Sequence, residues 1–321
     1  MIEPQPLPVI SVTVPQQQSH KNPVILGLGD FLNRQLPPRE LLLDPWLPQQ
    51  GLAMIHAPRG VGKTHVSLAV GYAIASGGSF LGWNAPRPSG VLLLDGEMPA
   101  PALQERLASI VANSEKEPLK PFNILTPDMQ PKDRPAFNIG SLDDQDSLEA
   151  MLDDVDLIIV DNIATLCRTG KENDAESWLP IQEWALRQRA NGRSVVFIHH
   201  SGKGGQQRGT SSREDVLDTV INLKRPSDYE PDQGARFEVH FEKSRGFHGD
   251  EAQPIEAQLS ADLHGNPMWV SKPLEASIYE RVIELHKDGL KQWEIAEEIG
   301  RNKSTVSRSL KKARQEGRIN D

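Results

Sequence analysis

The chain has 321 residues, enough for one large domain and a small one with a sizeable core. Its 44 acidic and 35 basic residues give a formal net charge of -9, which excludes a chain-wide polyanion-binding coat and requires any DNA-binding surface to be local. One cysteine, Cys167, excludes an internal disulfide and a cysteine-rich zinc site and fits a reducing compartment.

Met1–Val24 is rich in proline and glutamine and reads as a disordered tail; with Glu3 ahead of any Lys or Arg and no extended apolar core it is not a secretory signal. The longest unbroken aliphatic runs, Val91–Leu94 and Leu157–Val160, are four residues each, so no transmembrane helix is expected and a cytoplasmic protein is the default. From Ile25 short β-branched or aliphatic runs alternate with amphipathic stretches, the pattern of parallel βαβ units. Strands are expected at Gly51–His56, Gly90–Asp95, Leu157–Asp161 and Ser194–His199. Helices are expected near Thr64–Ser76, Ala100–Ser114, Ser141–Leu152 and Ala175–Ala190. Phe237–Phe241 and Met268–Val270 read as later strands of the same sheet, and Ser271–Pro273 as a linker. The reading is therefore an α/β domain over 25–272, after the tail at 1–24, followed by a small all-helical domain over 273–321.

Ala57-Pro58-Arg59-Gly60-Val61-Gly62-Lys63-Thr64 joins an expected strand to an expected helix, the context a P-loop requires. Amides of such a turn, backed by a helix N-terminus, cradle phosphate oxygens; Lys63 reaches the β and γ phosphates and the Thr64 hydroxyl can ligate Mg²⁺, so the expected ligands are ATP and Mg²⁺. Ala57 replaces the first glycine of the usual pattern. Acids end the neighbouring strands. Asp161 closes Leu157–Asp161, placed to hold Mg²⁺ directly or through water, and the run Val91–Leu94 leads into Asp95-Gly96-Glu97. Either acid of that pair can polarise an attacking water; Glu97 is the choice, with Asp95 a turn residue.

These segments resemble the RecA-like ATPases of the replicative helicase group, including DnaB-type and plasmid RepA-type hexameric helicases, over about Ile25–Val270. The resemblance implies a RecA-like P-loop sheet flanked by helices, Glu97 as catalytic glutamate and Asp161 in the second nucleotide-binding box. It also makes His200, with His199 second, the γ-phosphate sensor after Ser194–Ile198. Lys243-Ser244-Arg245 resembles the Lys-x-Arg element that such helicases insert into the adjacent subunit's site, making Arg245 an arginine finger, Lys243 a second cation and the protein a ring or filament of identical subunits. The glycine-rich loop Ser201–Arg213 corresponds to the channel loop that grips single-stranded DNA, with Lys203, Arg208 and Arg213 on the backbone. It holds no aromatic residue, so phosphate contacts would dominate.

Gln292–Gly300 and Arg301–Leu310 read as two short helices around a glycine turn, a helix-turn-helix pattern. Ile295, Ala296, Ile299, Val306 and Leu310 can share a core with Ile278, Val282 and Leu285, and Asn302 or Ser304 can cap the second helix. Arg301–Asp321 holds seven basic and two acidic residues, a net of +5 that leaves -14 on residues 1–300. Asn302, Lys303, Ser304, Thr305, Ser307 and Arg308 suit a major groove, with Lys311, Lys312 and Arg314 on phosphates. The pattern resembles resolvase or Sigma70-region-4-like modules. Two functions follow: an ATP-driven DNA helicase or translocase brought to duplex DNA by its C-terminal helices, as in replication of a plasmid or other mobile element; or an oligomeric ATP-switched DNA-binding regulator or helicase loader that does not unwind.

Overall fold

The computed structural model describes residues 24–168, 176–201, 211–262 and 265–319. Of the expected tail only Val24 lies among them. Among the described residues, those up to Pro38 fall in a unit of their own, in which Leu28–Leu32 is helical, and those from Arg39 onward in a second, compact unit.

Nine strands build the main sheet of that second unit: β1 (Leu52–Ala57), β2 (Val91–Asp95), β3 (Phe122–Leu125), β4 (Leu157–Asp161), β5 (Ser194–His200), β6 (Thr219–Lys224), β7 (Arg236–Ser244), β8 (Ile255–Ala261) and β9 (Pro267–Pro273). Their order across the sheet is β9-β8-β7-β6-β1-β5-β4-β2-β3. The six strands from β6 to β3 run parallel, and β7, β8 and β9 add an antiparallel meander. Parallel strands covered on both faces must be apolar on both sides, which is why they read as unbroken aliphatic runs. The period of two then sorts them. Ile55, Leu93, Ile159 and Ile198 enter one core, and Met54, Leu94, Val160 and Phe197 the other.

The first core is covered by helix α1 (Lys63–Ser76), buried nearly all round, and the second by α4 (Leu179–Ala190), which inserts Ile181 and Trp184. Gly71 lets α1 lie close on the sheet, since a Cβ there would meet the Phe122 ring at 3.0 Å and Ile159 Cδ1 at 3.2 Å. Helices α2 (Ala100–Ala112) and α3 (Leu142–Glu149) complete the layers. The α/β reading of this region holds, with observed strand bounds within a residue or two of those expected for β1, β2, β4 and β5.

Three further helices follow: α5 (Leu274–Lys287), α6 (Gln292–Glu298) and α7 (Lys303–Gln315). Val282, Leu285, Ile295, Ile299, Val306 and Leu310 form their shared core, with Ile278 packed against it. The expected linker at Ser271–Pro273 is corrected: those residues pair with Ile255–Ala257 as the end of β9, and α5 starts at the next residue. Ion pairs tie this helical segment to the α/β body, Arg301 to Glu238 of β7 at 3.2 Å and Arg281 to Asp228 of the β6–β7 connection at 3.3 Å. Among the described residues no helix is long and apolar enough to cross a membrane.

Candidate functional site

In parallel sheets of this kind the chemistry gathers beyond the carboxyl ends of the strands, and β1, β2, β4 and β5 end side by side here. Ala57 is the last residue of β1, fully buried and paired with His200 of β5. It needs no glycine because it is still extended strand; the turn begins after it. Gly60 and Gly62 carry the positive φ angles, 77° and 123°, and Gly62 precedes the first turn of α1. Pro58, Arg59 and Val61 complete the loop, with Val61 anchored in the core and Arg59 exposed at the rim. Lys63 Nζ donates to the carbonyls of Ala57 and Pro58, each at 2.9 Å, so the ammonium is held across the mouth of the loop. Burial lowers its pKa to about 8, opposed by Asp161 and Glu97.

A cavity of about 430 Å³ opens over this loop, walled by Lys63, Thr64, Asp95, Glu97, Asp161 and His200 among others. Asp161 is buried and accepts from the Ser67 hydroxyl at 2.9 Å and from the Thr64 hydroxyl. Burial raises its carboxyl pKa, against the pull of those hydroxyls and of Lys63. The adjacent oxygens of Thr64 and Asp161 fit Mg²⁺, which takes few protein ligands and completes its shell with phosphate and water. Among the described residues no cluster of three or more His, Cys, Asp and Glu side chains forms a site dominated by protein ligands.

Asp95 and Glu97 both line the cavity but differ in their surroundings. Asp95 is buried, takes the Met98 N–H at 3.1 Å and so closes the turn; burial, with Asp161 beside it, raises its pKa to about 6. Glu97 is half-exposed and faces the cavity. Gly96 lets the strand end approach the helical turn Ile163–Leu166, since a Cβ there would lie 2.4 Å from Thr165 Oγ1. That approach brings Glu97 to Asn162, whose Nδ2 donates to Glu97 Oε2 and lies 3.2 Å from His200 Nε2, while His200 Nε2 is 3.3 Å from the same Glu97 oxygen. Burial acts to raise the Glu97 pKa, but the hydrogen bonds from His200 and Asn162 outweigh it and hold it below the usual range. Burial and Lys63 lower that of His200. His199 is fully buried within β5 and does not line the cavity, whereas His200 does, as does His65 from α1.

The sequence reading missed Asn162 and Ser67. Both carried signals: Asn162 directly follows the strand-ending Asp161, and Ser67 lies three residues after Thr64, on the same helix face. It also missed Arg225 and Tyr229, which come from the turn after β6; Arg225 donates to Gly60 O at 3.0 Å and its guanidinium lies 4.1 Å from the Tyr229 ring.

Lys243 and Arg245 do not reach their own chain's cavity. Ser244 pairs with Thr219, which pairs with Ala53 near the start of β1, so both cations sit at the end of the strands opposite the P-loop. There Lys243 donates to Glu214 O and Arg245 to Asp215 O at 3.2 Å. Lys203 and Arg208 lie outside the described residues. Arg213 is corrected as a DNA contact: it is 3% exposed, its guanidinium 5.4 Å from the Trp178 ring, because the chain has already turned back into the core there. On α7, Lys303, Ser304, Ser307, Arg308, Lys311, Lys312 and Arg314 are exposed and Thr305 is half-buried. Asn302 caps the helix, its Oδ1 accepting from Thr305 N at 2.9 Å and from Ser304 Oγ at 2.6 Å.

Residues 23–206 match the family model described as AAA domain, more than half of the chain. Among solved structures, a KaiC-like protein from the hyperthermophilic archaeon Pyrococcus horikoshii superposes with a TM-score of 0.50 at 14% identity, covering 74% of this chain and 99% of that one. At that identity the likeness is one of fold. No curated protein matches the chain.

Proposed function

Because the chain belongs to the AAA domain family, we propose that it is an ATP-hydrolysing DNA helicase or translocase of the RecA-like type, recruited to duplex DNA by its C-terminal helices. The observation that carries this reading is the convergence of a P-loop, a buried carboxylate and a half-exposed glutamate on one cavity at the ends of adjoining parallel strands. The P-loop amides and Lys63 would hold the phosphates, and Thr64 with Asp161 a Mg²⁺ ion, which when bound neutralises charge on the phosphate oxygens. Glu97 would take a proton from water as its oxygen attacks the γ-phosphorus and the bond to ADP breaks, while His200 would donate to a γ-phosphate oxygen. Arg245 and Lys243, at the opposite end of the strands, would serve a neighbouring subunit's site in a head-to-tail ring or filament. Replication of a plasmid or other mobile element is the biological setting proposed.

The exposed basic face of α7 supports duplex binding, α6 and α7 being read as a helix-turn-helix. A second reading, an oligomeric ATP-switched DNA-binding regulator or helicase loader, is favoured by the ion pairs that tie the C-terminal helical segment to the α/β body, because they link DNA binding to the ATPase. A strand-displacement assay with ATP, on duplexes with and without a single-stranded tail, separates the two. Tail-dependent unwinding supports the motor; ATP-dependent duplex binding without displacement supports the switch.

A further inference from the structure

Asn162 belongs to none of the roles given above, yet it stands between two residues that have them. Its side chain is 1% exposed, and its backbone is pinned because its carbonyl accepts from Thr165 Oγ1 at 3.1 Å and Leu166 N at 3.1 Å. Its Nδ2 meets Glu97 Oε2 and, at 3.2 Å, His200 Nε2. The amide cannot be turned over, because that would set its oxygen against the Glu97 carboxylate. Its Oδ1 is buried without a partner among the described residues, a cost that a side chain kept only for packing would not carry.

His200 Nε2 has two arrangements open to it. As a bare nitrogen it accepts from Asn162; carrying a proton it donates to Glu97 Oε2 at 3.3 Å. Asn162 holds Glu97 in both, so any movement of His200 toward a phosphate exchanges one arrangement for the other without releasing the carboxylate. Resting on the ATPase reading above, we infer that Asn162 is a positioning residue that fixes Glu97 for the attacking water and couples its placement to His200. The coupling is local: three side chains from three adjacent strand ends, with no intervening group.

The test is steady-state hydrolysis with nucleotide affinity measured separately. Asn162→Ala is expected to lower kcat by about 10- to 100-fold, the usual cost of a misplaced reacting group, with ATP affinity within about twofold of the parent. Asn162→Asp keeps the volume but removes both N–H donors, and should be at least as slow. Adding His200→Ala to Asn162→Ala should cost less than His200→Ala alone costs the parent, because the coupling is already gone. Thermal stabilisation by a non-hydrolysable ATP analogue shows that each variant is folded and binds. Parent-like kcat in Asn162→Asp, or full additivity of the two alanine substitutions, overturns the inference. A parent chain that binds ATP but never hydrolyses it overturns the ATPase reading instead.

Discussion

Ser67 donates its hydroxyl to Asp161 Oδ2 at 2.9 Å from one helical turn beyond Thr64, so the carboxylate proposed for Mg²⁺ is oriented by the same helix that starts in the phosphate loop. Ser67→Ala removes one of two hydroxyl donors from a buried carboxylate. A loss of about 1 to 3 kcal/mol in urea unfolding is expected. The Mg²⁺ concentration for half-maximal ATPase should rise by about tenfold or more, as when an outer partner of a metal ligand is lost. An unchanged Mg²⁺ titration would remove Ser67 from the ion's surroundings.

Binding and turnover should separate between Lys63 and Glu97. Lys63→Ala deletes the cation at the loop and should weaken ATP binding by at least about tenfold. Glu97→Gln keeps the shape of the side chain and its place beside Asn162 while removing the base, so ATP should still bind and kcat should fall by about 100-fold or more. Hydrolysis by Glu97→Gln at the parent rate would transfer the base assignment to Asp95.

The elements legible in the sequence were those with one dominant signal. β1, β2, β4 and β5 are buried on both faces and so read as aliphatic runs, and the phosphate loop announced itself by its glycines and Lys63. β6 was missed, though it adjoins β1 at the centre of the sheet, because Asn222 and Lys224 interrupt the run; Asn222 is buried there and donates to Glu242 at 2.6 Å. β8 was missed because it lies in the meander, with Glu256 turned to Arg236 in a buried ion pair, so its polar residues mimic a loop. The Glu97–Asn162–His200 contact joins residues far apart in the chain, and nothing local announces a contact of that kind.

His56 sits inside β1 with Nδ1 at 2.8 Å from Ser201 Oγ and Nε2 at 2.9 Å from Glu242 Oε2, a pairing that one neutral tautomer satisfies: Ser201 donates to Nδ1 and Nε2–H donates to Glu242. Burial lowers its pKa, with Glu242 opposing. The folded state therefore takes up its proton at lower pH than the unfolded chain does. Stability from this residue is present above the unfolded value near 6.5 and is lost as pH falls below it toward the folded value. His56→Gln should show a smaller loss of urea-unfolding stability between pH 7.5 and 5.0 than the parent. An identical pH slope in the two proteins would show that His56 does not contribute to it.

Arg245 and the P-loop of the same chain lie beyond opposite ends of the parallel strands, so a finger role for Arg245 requires a second subunit. Arg245→Ala should lower kcat by about 10³-fold or more, and Lys63→Ala should abolish hydrolysis in its own site. Mixed in equal amounts, the two variants form some contacts in which an intact P-loop from an Arg245→Ala subunit meets an intact Arg245 from a Lys63→Ala subunit. Hydrolysis by the mixture should exceed the sum of the two variants measured alone, and should rise with protein concentration as those contacts form. Full activity of Arg245→Ala by itself would remove the finger. A mixture no faster than its parts, with oligomers intact in sedimentation, would mean that these cations only tie β7 to the Glu214–Asp215 turn, as their hydrogen bonds to those carbonyls already do.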